Sequence, residues 1–248
     1  YVAKLQSHAH LSHTGRKALA REVHLLASLA RSAHPNIVCF RHSFYDSTTL
    51  CIIMDYAEQG DLGNLIARRK ADGAGFVENA FVQSIMFELV SALDFLHARD
   101  VMHRDVKPRN VFLSRNRALL GDLGLSKSVV GLGGVVAVEP HTQCGSPLYV
   151  APEVHMNQPS NAAIHVWGLG CTMYELMMLE PAFTGKCNQE IMRAIVNGKY
   201  KPISNVWSSK LQEIIRSTLR VRASERPSAF ELLCDEYLVT VQQSEDWW

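Results

Sequence analysis

Apolar positions recur along this chain with two periods. Between Thr14 and Ser32, Leu19, Val23, Leu26 and Ala30 fall on one side of a helical wheel and predict a helix. Before it, Tyr1 to Leu5 reads as a short strand. Behind it, Phe40 to Phe44 and Leu50 to Met54 read as two strands joined by the polar turn Asp46-Ser47-Thr48, fed by the turn at His34-Pro35-Asn36-Ile37-Val38. Apolar β-patterning stops at Asp55. Asp61 then suits a helix N-cap, and Lys70 to Gly75 reads as a loop. Asn79 to Ala98 predicts a long helix with Phe81, Ile85, Leu89, Leu93 and Leu96 inward. Val166 to Leu179 is apolar nearly all round, which predicts a buried central helix. Further helices are expected at Ile191 to Val196, Leu211 to Leu219 and Ser228 to Leu238, the last entered through Pro227. Leu119 to Gly124 reads as a strand ending in a turn. The glycine-rich stretch from there to Glu153 is weakly patterned and expected to be a mobile loop.

Composition narrows the class without choosing it. The 248 residues are 47% hydrophobic and 20% charged, an ordinary globular balance for one large domain or two small ones. With 25 basic and 24 acidic residues the formal charge is +1, which predicts neither a nucleic-acid nor a membrane partner. The six cysteines form no Cys-x-x-Cys pair, so reduced thiols in a cytosolic or nuclear compartment are expected. The eleven histidines make no His-x-x-x-His ligand pair. The most apolar loop, Val129 to Val138, is glycine-broken and too short to span a bilayer, and no secretory signal opens the chain.

The most informative stretch is His103-Arg104-Asp105-Val106-Lys107-Pro108-Arg109-Asn110. Its spacing suits phosphoryl transfer, where catalysis is mainly positioning and charge neutralisation. Asp105 is a carboxylate able to face an attacking hydroxyl, Asn110 offers an amide oxygen to a metal ion, and Lys107 between them suits charge developing on a transferred phosphate. Around it stand, in order, Val2-Ala3-Lys4 on a strand, Glu22 on a helix, Asp122-Leu123-Gly124, Ala151-Pro152-Glu153, Trp167-x-x-Gly170 and Arg226-Pro227.

This ordered set resembles the eukaryotic protein kinase family across essentially the whole chain. The stretches Glu22-Val23-x-Leu25-Leu26, Met54-Asp55-Tyr56, Gly60-Asp61-Leu62 and Asn110-Val111-Phe112-Leu113 look most like the NIMA-related serine/threonine kinases. The resemblance implies an α+β, two-lobed fold. Residues 1–57 would form a truncated small β lobe with one helix, and 58–248 a mainly helical large lobe. It implies ATP and Mg2+ as cofactors, with Asp105 as base, Lys107 and Lys4 on the phosphates, Glu22 paired to Lys4, and Asn110 and Asp122 as metal ligands. Met54 would be the gatekeeper, Asp55 and Ala57 would offer backbone to the adenine, and Asp61 would meet the ribose. Phe112 would lie below the base and Ala3 above it. Glu153 would pair with Arg226. Lys107-Pro108-x-Asn110 and Ser146 resemble the serine/threonine branch. Arg104 implies pairing with a phosphorylated loop residue, placed at Thr142 with Ser126 and Ser128 as runners-up, through an upstream activating kinase or autophosphorylation. Protein substrates and a cytoplasmic, cytoskeletal or centrosomal location complete what the family implies.

The chain departs from that pattern in specific places. Tyr-Val-Ala-Lys matches Val-Ala-x-Lys with one position missing, and no glycine-rich phosphate loop precedes it in these residues. Cys-Gly-Ser-Pro-Leu-Tyr is closer to the autophagy-initiating kinases. Arg222-Ala223 replaces the usual Asp-Pro ahead of Arg226. His165 stands where kinases carry an aspartate that accepts N–H groups from the catalytic loop. A neutral imidazole has one acceptor nitrogen, so at least one such N–H is expected to go unpaired or find water. The alternative is a histidine simply packed in the core. A pseudokinase-like interaction module is the competing functional class.

Overall fold

The computed structural model describes residues 1–115, 117–123 and 147–240, together with the backbone of 127–128. Three early strands, β1 (Val2–Ser7), β2 (Phe40–Asp46) and β3 (Thr49–Met54), form an antiparallel sheet in the order β1-β3-β2. The polar turn closes the β2–β3 hairpin with Ser47 in the left-handed region at φ 48°. Lys4 lies opposite Ile52, and the two-residue period puts Gln6 on the same face as Lys4. Register slips between Phe40 and His42, a bulge centred on Arg41. Helix α1 (His13–Ala30) follows β1, capped by Ser12, and buries Leu26, Leu29 and the carboxylate-bearing Glu22. It packs against β2.

The turn at His34 leads into β2, as the sequence suggested, and pairs on the way with a second hairpin. Leu120 N–H donates to Asn36 O at 2.8 Å and Val38 N–H to Leu120 O at 2.9 Å, while Asn36 Nδ2 donates to Ala118 O at 3.0 Å. This segment therefore joins the sheet to the hairpin β5 (Val111–Ser114) and β6 (Arg117–Leu120), which sits beneath it. A two-residue ladder, β4 (Val101–Met102) with β7 (Lys127–Ser128), completes the β-structure among the described residues.

Helix α2 (Leu62–Asp72) outruns its expected end, because Arg69 and Lys70 favour a helix C-terminus and the left-handed Gly73 is the residue that stops it. Helix α3 (Asn79–His97) fully buries Ile85, Leu89, Leu93 and Leu96 with Val82 beside them, while Phe81, expected inward, is only partly buried against the core. The length and apolar composition of α3 would suffice to cross a bilayer, yet half of that stretch is buried within the fold. After α4 (Pro152–His155), α5 (Ala163–Met178) runs through the centre with Trp167, Leu169, Met173 and Tyr174 fully buried. Each such side chain contributes on the order of 2 kcal/mol. Helix α7 (Ser209–Thr218) packs against α5, and α6 (Asn188–Val196) packs against α4. The expected single helix from Ser228 to Leu238 is instead two, α8 (Ala229–Leu233) and α9 (Glu236–Val239). Asp235 breaks the run, since its carboxylate caps a new helix by accepting from Tyr237 N–H.

Two packing details bear on the site. A Cβ on Gly168 would lie 2.9 Å from Val106 O, so α5 touches the 103–110 loop backbone to backbone. Arg226 uses all five N–H groups: two parallel bonds to Glu153 at 2.8 and 2.7 Å, and one each to Ala163 O, Arg220 O and Val221 O.

Candidate active site

Lys4, Glu22 and Asp122 come from three separate elements and meet in one place. The Lys4 ammonium lies 3.3 Å from Glu22 Oε1 and 2.6 Å from Asp122 Oδ1. Burial alone would lower the Lys4 pKa, but the hydrogen bond and charge of Asp122 and the charge of Glu22 outweigh it, so the pKa ends raised and the ammonium is retained. Gln6 Nε2, one pleat along β1 from Lys4, reaches both Glu22 oxygens at 3.5 Å. Asp122 itself holds φ at 57°, a costly left-handed conformation that sets where its carboxylate points.

The second cluster lies on the 103–110 loop. Asp105 is buried, with Lys107 Nζ 2.6 Å from its Oδ2 and Asn110 Nδ2 donating to the same oxygen at 2.9 Å and to Asp105 O at 2.8 Å. His103 ties the clusters together. Its Nε2–H donates to Gly121 O at 2.9 Å, one residue before Asp122, and its Nδ1 accepts Asp105 N–H at 3.2 Å. Burial lowers the His103 pKa, in keeping with that neutral, fully used ring.

The segment after β3 carries the positions expected to receive a nucleotide base. Met54 ends β3 opposite both Val2 and Phe40. Asp55 is held twice, by its N–H to Cys39 O at 3.0 Å and by a two-bond contact with Arg41 at 2.7 Å each, which the bulge at Arg41 aims toward it. Nothing among the described residues accepts from the Ala57 N–H. Asp61 is the α2 cap, its oxygens taken by Asn64 N and Nδ2 at 2.9 and 2.7 Å. Any ribose contact would share that carboxylate. Phe112 lies against Gly121, where a Cβ would come within 2.8 Å of both the Phe112 ring and Val38 Cγ2. Ala3 is exposed on β1.

His165, only 1% exposed, does hold the loop: its Nε2 accepts Arg104 N–H at 3.3 Å. Its Nδ1 is engaged by His97 Nε2 at 2.7 Å, the rings lying edge to edge with centroids 4.9 Å apart and planes at 24°. The expected loss of a partner is thus not seen at Arg104. Burial lowers both pKa values, that of His97 to about 4 and that of His165 well below the usual imidazole range, the latter helped by His97, His103 and Arg104.

The donor set fits a hard divalent cation. Asn110 spends its NH2 on Asp105, which leaves its amide oxygen for a metal, and Asp122 supplies a carboxylate. Among the described residues no three His, Cys, Asp or Glu side chains gather into a metal cage. Magnesium is such a hard cation, bound through one or two protein groups, waters and substrate phosphates.

Gly124, Ser126, Thr142 and Ser146 lie outside the described residues, as does the Ser128 side chain. Gln6, Arg41, Gly121 and His97 were not singled out from sequence. Gln6 could have been found from the strand period. The other three owe their places to contacts with residues far along the chain.

A family model described as the protein kinase domain matches residues 1–238. Among curated proteins, the chain is 35% identical over 240 residues to the serine/threonine-protein kinase Nek4 of Mus musculus, covering 96% of this chain and 29% of that protein. It is 34% identical to mouse Nek11 over 210 residues, 85% of this chain and 33% of that protein, and 33% identical to mouse Nek1 over 234 residues, 94% and 19%. The chain thus spans a third or less of the length of these relatives.

Proposed function

This chain belongs to the protein kinase family, and on that premise we propose that it transfers the γ-phosphate of ATP to serine and threonine hydroxyls of protein substrates. The observation that carries the reading is the convergence of two clusters, Lys4 with Glu22 and Asp122, and Asp105 with Lys107 and Asn110, joined through His103 and Gly121. Asp105 orients the attacking hydroxyl and takes its proton. Its Oδ2 is fixed by Lys107 and Asn110, so the carboxylate meets the hydroxyl already aimed. Lys107 then faces the charge that develops on the transferred group. Lys4, held by Glu22, leaves Asp122 for the α- and β-phosphates. Asn110 and Asp122 would hold magnesium, which when bound would neutralise charge on the phosphate oxygens.

Serine/threonine specificity follows from the likeness to the relatives above and from Lys107-Pro108-x-Asn110. Residues 1–57 are read as the small lobe and 58–248 as the large. The cysteine pattern supports a cytoplasmic enzyme, and the near-even charge balance supports protein substrates without nucleic-acid or membrane partners. Regulation is placed at Thr142, four residues before Ser146, with Arg104 as its phosphate partner. A Thr142→Ala chain should lose activating phosphorylation and most of its rate. Unchanged rate and phosphorylation would remove that assignment.

Radiolabelled phosphate transfer to a generic protein substrate, with phosphoamino-acid analysis, tests the main reading. Asp105→Asn should reduce kcat by about 10²- to 10⁴-fold without lowering the melting temperature. A parent chain that transfers nothing would point to the interaction-module class, and predominant phosphotyrosine would refute the specificity.

A further inference from the structure

The hydrogen bonds around His165 admit one proton arrangement. Arg104 N–H can only donate, so the Nε2 it reaches at 3.3 Å must be unprotonated. A neutral imidazole then carries its proton on Nδ1, and that proton points at His97 Nε2, 2.7 Å away. His97 Nε2 must accept it, which puts the His97 proton on Nδ1 as well. A protonated His97 would set donor against donor, and a protonated His165 would abandon Arg104.

We infer that His97 is a positioning residue: by accepting from His165 it fixes the tautomer that lets His165 hold the backbone of the catalytic loop at Arg104. The tautomer of an imidazole is set by the partner of its other nitrogen, and here that partner sits at the last residue of α3, outside the catalytic loop. Arg104 is a residue that needs holding, since it carries φ of 68° immediately before Asp105. Without the acceptor on His97, the His165 proton can move to Nε2 and meet the Arg104 N–H head on. Burial keeps both rings neutral, with Asp94 facing His97, and His103 and Arg104 facing His165, as the charged or titratable groups nearby.

The role in turnover rests on the proposed kinase activity; the tautomer does not. Long-range proton–nitrogen spectra of the 15N-histidine-labelled chain should show both His97 and His165 protonated on Nδ1. In His97→Phe, which keeps an aromatic ring and removes the acceptor, the His165 proton should move to Nε2. Turnover should then fall about 5- to 100-fold with KM for ATP changed less than about twofold. His97→Gln, whose amide oxygen can accept, should keep the Nδ1 tautomer and most of the rate. An Nε2–H tautomer at His165 in the parent would overturn the inference, and so would equal slowing by Phe and Gln. If the parent transfers no phosphate, the proposed function fails and the spectra alone decide the claim about His97.

Discussion

At the scale of single residues, the exchange of a carboxylate for His165 has a pH signature. Both imidazoles of the pair are held neutral, His97 down to about pH 4. Below about pH 6.5 the unfolded chain therefore binds protons that the folded chain refuses, and stability falls as pH falls toward 4. In His165→Asp the new carboxylate would favour a charged His97, adding to Asp94, while His103 and Arg104 remain on its other side. That raises the His97 pKa and reverses the loss. Melting temperatures between pH 7.5 and 5 should drop less in the aspartate variant than in the parent. Turnover should rise, by up to about 100-fold if the second acceptor oxygen gains a loop N–H. Parallel melting curves and an unchanged rate would show that the loop does not depend on this position.

Among the elements, the short hairpin of β5 and β6 carries Phe112, the side chain proposed to lie beneath the nucleotide base. Phe112 and Val38 close over Gly121 so tightly that even a methyl group would displace them. Gly121→Ala should thus raise KM for ATP severalfold while kcat changes little, as initial-rate kinetics at varied ATP would show. A fall in kcat at constant KM would place the damage at Asp122 instead. Sequence patterning found the helices and strands that bury a regular stripe, and missed where a polar residue redirects the chain. Asp235 restarts a helix, and Gly73 ends one later than the loop-like composition suggested. Asp105, Lys107, Asn110 and Asp122 could be named because each lies in a short motif with fixed spacing, whereas Lys4, whose motif lacks a position, and Glu22 needed the order of the whole set. The Arg41–Asp55 and His97–His165 pairs were not, because a bulge and the crossing of α3 with α5 choose those partners, and neither leaves a local trace.

The molecule as a whole is tied together at Arg226, whose guanidinium links α4, the start of α5 and the segment after α7. Removing it leaves Glu153 charged in the interior, so Arg226→Met should cost about 3–5 kcal/mol, a large part of the stability of an ordinary domain. Pairing it with Glu153→Leu should cost less than the sum of the two single changes, read from urea midpoints. Strict additivity would show that the pair is not coupled. The contact of α5 with the loop at Gly168 behaves differently. Because the nearest obstacle to a side chain there is the main-chain oxygen of Val106, shrinking the valine cannot clear the way. Stabilising substitutions elsewhere could restore the melting temperature of a Gly168 variant. They could not restore the clearance that places Asp105, so at this position robustness and catalytic geometry cannot be exchanged for one another.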